Sequence, residues 1–192
     1  MIGKPEIINQ RIMRITRENT SGLIIDIQER LFPVMNNKET LLENSKVLIK
    51  GLQVLGISTV FTQQYTNGLG KTLEEISSLV PGFTYYEKSD FSCYDVPEYQ
   101  LFLEQKNCEN IIIAGIESHV CVLQTAVDLK QAGYNPIVVM DCTDSRTEAN
   151  KQLAMERFRH EDIMMTSYES ILFELTASAK AAEFKTISKL IK

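Results

Sequence analysis

Histidine is nearly missing from this chain: His119 and His160 are its only two. A cysteine–histidine dyad therefore has little to draw on, and His160, in Arg157-Phe158-Arg159-His160-Glu161, reads as the end of a solvated helix. The four cysteines (Cys93, Cys108, Cys121, Cys142) form no CxxC pair and no zinc-type spacing. No apolar run approaches the length of a membrane span. The N-terminus lacks the charged-then-apolar pattern of a signal peptide. No basic cluster interleaves with aromatics, and a formal net charge of -5 argues for neither nucleic acid nor an anionic membrane surface. These absences lead us to expect a cytoplasmic protein with free thiols, without nucleic-acid or membrane partners.

What is present is a chain of 192 residues, 44% apolar, enough for one domain with a good core. Residues 1–19 read as a leader: Lys4, Arg11, Arg14 and Arg17 make it locally basic, and Ile8, Ile12 and Ile15 have near-helical spacing. It is either a frayed terminus or an arm that clasps another subunit. From residue 20 to 192 the pattern alternates. Strand-like runs fall near 22–26, 57–61, 83–86, 111–114, 136–140 and 162–165. Helix-like stretches fall near 38–55, 72–78, 96–105, 119–132, 147–159 and 168–175, with a short terminal helix through Phe184, Ile187, Leu190 and Ile191. Apolar strands alternating with helices predict a parallel sheet with helices on both faces. Thr147 is placed to cap one helix and Gly133 to stop another. The Gly68/Gly70 loop, Thr66–Thr72, lacks phosphate-loop spacing. A mobile loop at a pocket mouth and a plain connector are both open readings of it.

Cys121 stands in Ile111-Ile112-Ile113-Ala114-Gly115-Ile116-Glu117-Ser118-His119-Val120-Cys121-Val122. Gly115 is expected to end a buried strand, and Cys121 to sit near the first turn of the next helix. Backbone N–H groups and the helix dipole there favour thiolate, which predicts a lowered thiol pKa and a nucleophile. A small buried hydrophobe is the competing reading. Asp26, in Leu23-Ile24-Ile25-Asp26-Ile27-Gln28, lies at the carboxyl end of the first strand. Lys88, in Glu87-Lys88-Ser89-Asp90-Phe91-Ser92, follows the third. Each alone reads as a surface charge. Three reactive side chains, each beyond a different strand, can share one pocket at the sheet edge.

LIIDIQ at Asp26, EKSDFS at Lys88, GIESHVCV at Cys121 and the downstream VVMDCTDSR occur in that order. Together they resemble the isochorismatase-like (cysteine hydrolase) superfamily. The segment Thr62–Thr72 resembles a branch of isochorismatase-domain proteins and bacterial hydrolases of unassigned substrate. The resemblance implies a three-layer α/β/α Rossmann-like fold with a six-stranded parallel sheet. It implies catalytic Asp26, Lys88 and Cys121, an oxyanion hole from the backbone N–H groups of Glu117 and Cys121, and a cis Ile116–Glu117 bond. It also implies a homo-oligomer acting on a small molecule.

Glu117 is bulkier than the small residue or Thr of many relatives; it can meet a polar substrate group or form an ion pair within an oligomer. His119 lies two residues from Cys121, a spacing that does not face it on a helix, so it reads as pocket lining or packing. Metal-binding relatives carry Asp and His after the second strand, where this chain has Phe61-Thr62-Gln63-Gln64-Tyr65. No metal and no cofactor are expected, because amide side chains are poor ligands for a catalytic divalent ion. Gln28 and Gln64 are candidates to hydrogen-bond substrate. Phe32, Tyr65, Phe91 and Tyr94 are candidates for apolar walls. Ser145 is expected to cap the following helix, and Arg146 to reach the pocket edge or an interface.

The leading expectation is a metal-independent cysteine hydrolase of a small amide-type C–N bond, working through a thioester. By the same resemblance, isochorismate lyases of a vinyl ether typically lack the cysteine. A catalytically silent oligomeric scaffold and a redox-responsive thiol protein are the alternatives.

Overall fold

The computed structural model describes residues 14–192. Six strands, β1 (Thr20–Ile25), β2 (Thr59–Gln64), β3 (Tyr86–Lys88), β4 (Asn110–Ile116), β5 (Asn135–Asp144) and β6 (Met164–Thr166), form one all-parallel sheet. Their spatial order is β3-β2-β1-β4-β5-β6. The helices are α1 (Lys38–Val54), α2 (Thr66–Leu69), α3 (Glu74–Ser77), α4 (Pro97–Gln105), α5 (Leu123–Gln131), α6 (Glu148–His160), α7 (Tyr168–Thr176) and α8 (Phe184–Ile191).

Strand side chains alternate between two cores, which is why the strands are apolar throughout. Ile24, Ile112, Ala114, Ile137 and Val139 meet Leu48, Ile49 and Leu52 of α1, Ile171, Leu172 and Leu175 of α7, and Ile187 of α8. Leu23, Ile25, Ile111, Ile113 and Val138 meet Tyr99 and Leu103 of α4, Val122, Ala126 and Leu129, and Ala154 and Phe158 of α6. Phe158 is fully buried, and removing such a ring costs about 3–5 kcal/mol.

Strand β5 also sets where two helices begin. Asp144 Oδ2 accepts the Asn37 N–H at 2.6 Å, at the start of α1. Asp141 Oδ1 accepts the Tyr168 N–H at 2.9 Å, at the start of α7. Both carboxylates satisfy orphan donors at the positive helix end. Thr147 caps α6 as expected, its hydroxyl accepting from the Asn150 N–H at 3.2 Å.

Three local expectations are corrected, and one open reading is decided. Gly115 does not end β4: it lies inside the strand at φ +117°, at a register shift against β5, and Ile116 follows as the last residue. The third strand lies at Tyr86–Lys88 rather than 83–86, because Phe83 leaves the sheet to pack its ring on Phe61, 5.1 Å between centroids. Lys88 is therefore the strand's last residue, not a residue beyond it. The Thr66–Thr72 segment is a pinned connector holding α2: Gly68 O accepts from Arg30 Nη1, Leu69 O from Arg30 N–H, Gly70 O from Gln28 Nε2, and Lys71 O from Glu29 N–H.

Within the leader, Ile8 and Ile12 lie outside the described residues. Ile15 is buried in the first core. Its N–H donates to Glu174 Oε1 at 3.0 Å, and Arg17 Nε donates to Leu175 O at 2.7 Å. This part of the leader docks on the chain's own α7.

Candidate active site

The strand order reverses between β1 and β4, and a parallel sheet opens a crevice at such a point, beyond the carboxyl ends of the strands. Asp26 and Cys121 follow these two strands. Leaving β1, the chain turns sharply: Asp26 takes φ +51°, and its C=O accepts the Gln28 N–H two residues on, at 2.8 Å. Left-handed backbone is sparsely populated by residues other than glycine, though Asp tolerates it better than most. The turn leaves the Asp26 carboxylate fully buried. Oδ1 accepts the Thr62 hydroxyl at 2.8 Å, and Oδ2 lies 2.7 Å from Lys88 Nζ. The Oδ2 contact is an ion pair poorly aligned for a hydrogen bond, so no well-directed donor occupies that oxygen.

Lys88 is 4% exposed. Besides Asp26, its ammonium donates to Gln64 Oε1, to Phe91 O at 3.2 Å and to Asp90 O at 3.3 Å. Burial works against its charge, but Asp26 and the thiols of Cys93 and Cys121 outweigh it and raise the Lys88 pKa.

Ile116–Glu117 is a cis peptide bond. A single π-helical turn, Ser118–Val122, then carries the chain into α5. Cys121 sits in that turn and is 6% exposed. The lowered pKa expected from the helix start is not what the site produces. Burial first, then the Asp26 carboxylate, push the Cys121 thiol up to about 12, and Lys88 offsets only part of this. Both causes favour the neutral thiol over a preformed thiolate.

Sequence reasoning passed over two neighbours. Thr62 supports Asp26, and Cys93 lies within 3.7 Å of the Thr62 hydroxyl. The Cys93 backbone N–H donates at 2.8 Å to the hydroxyl of Thr125, one helical turn beyond Cys121. Burial pushes the Cys93 thiol up to about 12 as well. Only the register Ile25↔Thr62 brings Thr62 to Asp26, and no sequence signal carries that.

The remaining candidates divide. Gln28 does not face substrate: Nε2 donates to Gln64 O at 3.1 Å and Gly70 O at 2.7 Å, and Oε1 accepts the Gln64 N–H at 2.8 Å. Gln64 Oε1 is on Lys88, and its Nε2 donates to Ser89 O at 2.7 Å. Phe32 is half-buried between Met35, Leu41 and Ile116. Tyr65 and Phe91 are exposed, beyond β2 and β3, and Tyr94 packs edge-on to Tyr134. His119 Nδ1 pairs with Ser145 Oγ at 3.0 Å. That contact overturns Ser145 as a helix cap, a place Thr147 holds. Glu117, nearly buried, takes a two-pronged ion pair from Arg146, Nη2 to Oε1 at 2.8 Å and Nε to Oε2 at 3.1 Å. The pair forms within one chain. Among the described residues, no group of three His, Cys, Asp or Glu side chains is arranged to hold a metal ion.

The isochorismatase domain family matches residues 21–170. The chain belongs to the isochorismatase family. It is 35% identical to the secreted isochorismatase effector Isc1 of Phytophthora sojae, over 95% of this chain and 89% of that protein. It is 34% identical to isochorismatase domain-containing protein 1 of Danio rerio over 87% of this chain, but spans only 59% of that relative. Among solved structures, the MAR1 ribonuclease of Caenorhabditis elegans superposes with a TM-score of 0.89 at 30% identity, over 93% of this chain and 92% of that one. YcaC of Escherichia coli, described as an octameric hydrolase of unknown specificity, shares the fold at a TM-score of 0.87 and 18% identity, over 98% of this chain and 91% of that one. Membership in this family supports a hydrolase function. No helix among the described residues is long and apolar enough to cross a membrane.

Proposed function

We propose that this chain is a cysteine hydrolase that cleaves a small-molecule amide-type C–N bond through a thioester, without a metal. The observation that carries the reading is the buried Asp26–Lys88 ion pair, 2.7 Å long, beside the Cys121 thiol at the sheet's switch point. Such a pair adds little to stability once desolvation is counted. A scaffold has no use for it, which favours the enzyme over a silent fold.

Cys121 Sγ attacks the carbonyl carbon while Asp26 takes the S–H proton, so no standing thiolate is needed. The N–H groups of Glu117 and Cys121 serve the oxyanion. Collapse breaks the C–N bond, and Asp26 returns the proton to the leaving amine. Asp26 then deprotonates a water that attacks the thioester, releasing the acid and the free thiol. Lys88, 2.7 Å from Asp26 Oδ2, holds the carboxylate in place through these steps. All four cysteines are free, which suits a reducing cytosol. Self-association is part of this reading, with exposed Tyr65, Phe91 and Leu153 as surface available to a second copy.

A small substrate is favoured over RNA, although one similar structure is described as a ribonuclease. Asp26, Lys88 and Cys121 are each at most 6% exposed, and the chain is acidic, whereas RNA binding draws on basic surface. The test is a screen of small primary and secondary amides, with intact-mass detection of an acyl adduct on Cys121 and turnover compared with Cys121→Ala. A single-stranded RNA oligonucleotide serves as a parallel substrate. An adduct and its loss with Cys121 are expected; RNA cleavage that survives Cys121→Ala would sink the proposal.

A further inference from the structure

We infer that Gln64 is a positioning residue of this site, one that orients the Lys88 ammonium against Asp26; the inference rests on the triad reading above. An amide can face an ammonium with its oxygen or, flipped, with its own N–H groups, and only the first attracts. Here the choice is made by the surroundings. Gln64 Nε2 is committed to the Ser89 carbonyl at 2.7 Å, so Oε1 must face Nζ. The main chain at Gln64 is itself gripped on both sides: the Gln28 amide accepts its N–H at 2.8 Å and donates to its C=O at 3.1 Å. The same Gln28 amide reaches Gly70 O at 2.7 Å, tying the clamp to the connector after α2.

Lys88 has three N–H groups and almost no access to water. Its hydrogen bonds go to Gln64 Oε1 and to the Asp90 and Phe91 carbonyls at 3.3 and 3.2 Å, while Asp26 Oδ2 is held by charge at 2.7 Å. Gln64 is the one uncharged side chain among these contacts. It satisfies an N–H without competing with Asp26 for the positive charge, as a carboxylate there would. The sequence offered Gln28 and Gln64 as substrate contacts; the geometry turns Gln64 to the lysine and Gln28 to the backbone that holds Gln64.

The experiment measures iodoacetamide alkylation of Cys121 by peptide mass spectrometry from pH 7 to 9, in the full-length wild type, Gln64→Met, Lys88→Ala and the double variant. Met keeps the length of Gln and removes both polar atoms. Loosening Lys88 lessens its pull on the thiol, so Gln64→Met should slow alkylation about three- to tenfold at each pH, as a pKa rise of up to about one unit would. Lys88→Ala should slow it further, and the double variant should match Lys88→Ala, since Gln64 acts through the lysine. A merely structural Gln64 would lower Tm and leave the rate profile on the wild-type line, overturning the inference. If Lys88→Ala itself leaves the rate unchanged, the triad reading fails first. Gln64→Asn, too short to reach Nζ, gives the same test if Gln64→Met does not fold.

Discussion

Replacing Asp26 by Asn should make Cys121 more reactive and the enzyme less active. At pH 8, a thiol at about 12 is ionised in only about one molecule in ten thousand. The Asp26 carboxylate is the second cause of that high value, after burial, and Lys88 opposes it. Asn removes the negative charge and leaves the lysine uncompensated, so both changes favour thiolate. A charge at this range moves a pKa by about 1–3 units, which predicts alkylation faster by about 10- to 1000-fold at fixed pH. Under the proposed mechanism turnover should move the other way, because the proposed proton carrier is gone, by about 100- to 10,000-fold. The assay pairs iodoacetamide kinetics at each cysteine with amide turnover. Cys108 and Cys142, both buried and away from Asp26, serve as internal controls, whereas Cys93 shares the Asp26 and Lys88 field: if the controls accelerate equally, the variant has loosened globally, and the comparison moves to a temperature at which they are protected. Slower or unchanged alkylation of Cys121 in the folded variant would refute the account of the site.

In the wild type, the logarithm of the Cys121 alkylation rate should climb about one unit per pH unit from pH 7 to 10 without a plateau, since ionisation lies near 12; levelling at or below about pH 8.5 would show an ordinary or activated thiol instead. Gly115→Ala should fail to give folded protein, because a Cβ there would lie 2.1 Å from the Ile25 carbonyl oxygen on a backbone at φ +117°. Its cost is at least about 4 kcal/mol, and a soluble variant with a wild-type thermal melt would contradict it. Gln28→Ala strands the polar groups of Gln64 and Gly70, which costs about 3 kcal/mol. That corresponds to a Tm lower by about 6–12 °C at this chain size, read by differential scanning calorimetry. Glu117→Gln weakens the Arg146 ion pair, whose arginine is 61% exposed, so solvent screening holds the stability loss to about 1 kcal/mol; a melt shifted by more than a few degrees would show the pair matters more to the fold.

Much of the architecture was legible because parallel strands buried on both faces must be apolar along their length. Ile111-Ile112-Ile113-Ala114 shows this directly, and with alternating helices it implied the sheet. The ends of such strands share an edge, so Asp26, Lys88 and Cys121 could be brought to one edge before any coordinate was known. The motif order around them named the family. Where β3 pairs was not legible, since Phe83 looks as strand-like as Tyr86 until Phe61 is there to receive its ring. Nor was the direction of the Cys121 shift. The helix start is a local feature, visible in sequence, but burial and the Asp26 charge come from residues far along the chain, and inside a dry site they outweigh it. Gln28 and Gln64 make the same point. Sequence identifies amides near a site, but only the register Gln64↔Lys88 and the turn after β1 decide that they grip backbone and lysine rather than substrate. Periodicity and motif order are properties of the chain itself; orientation, protonation and partner choice depend on distances between segments, which only folding sets.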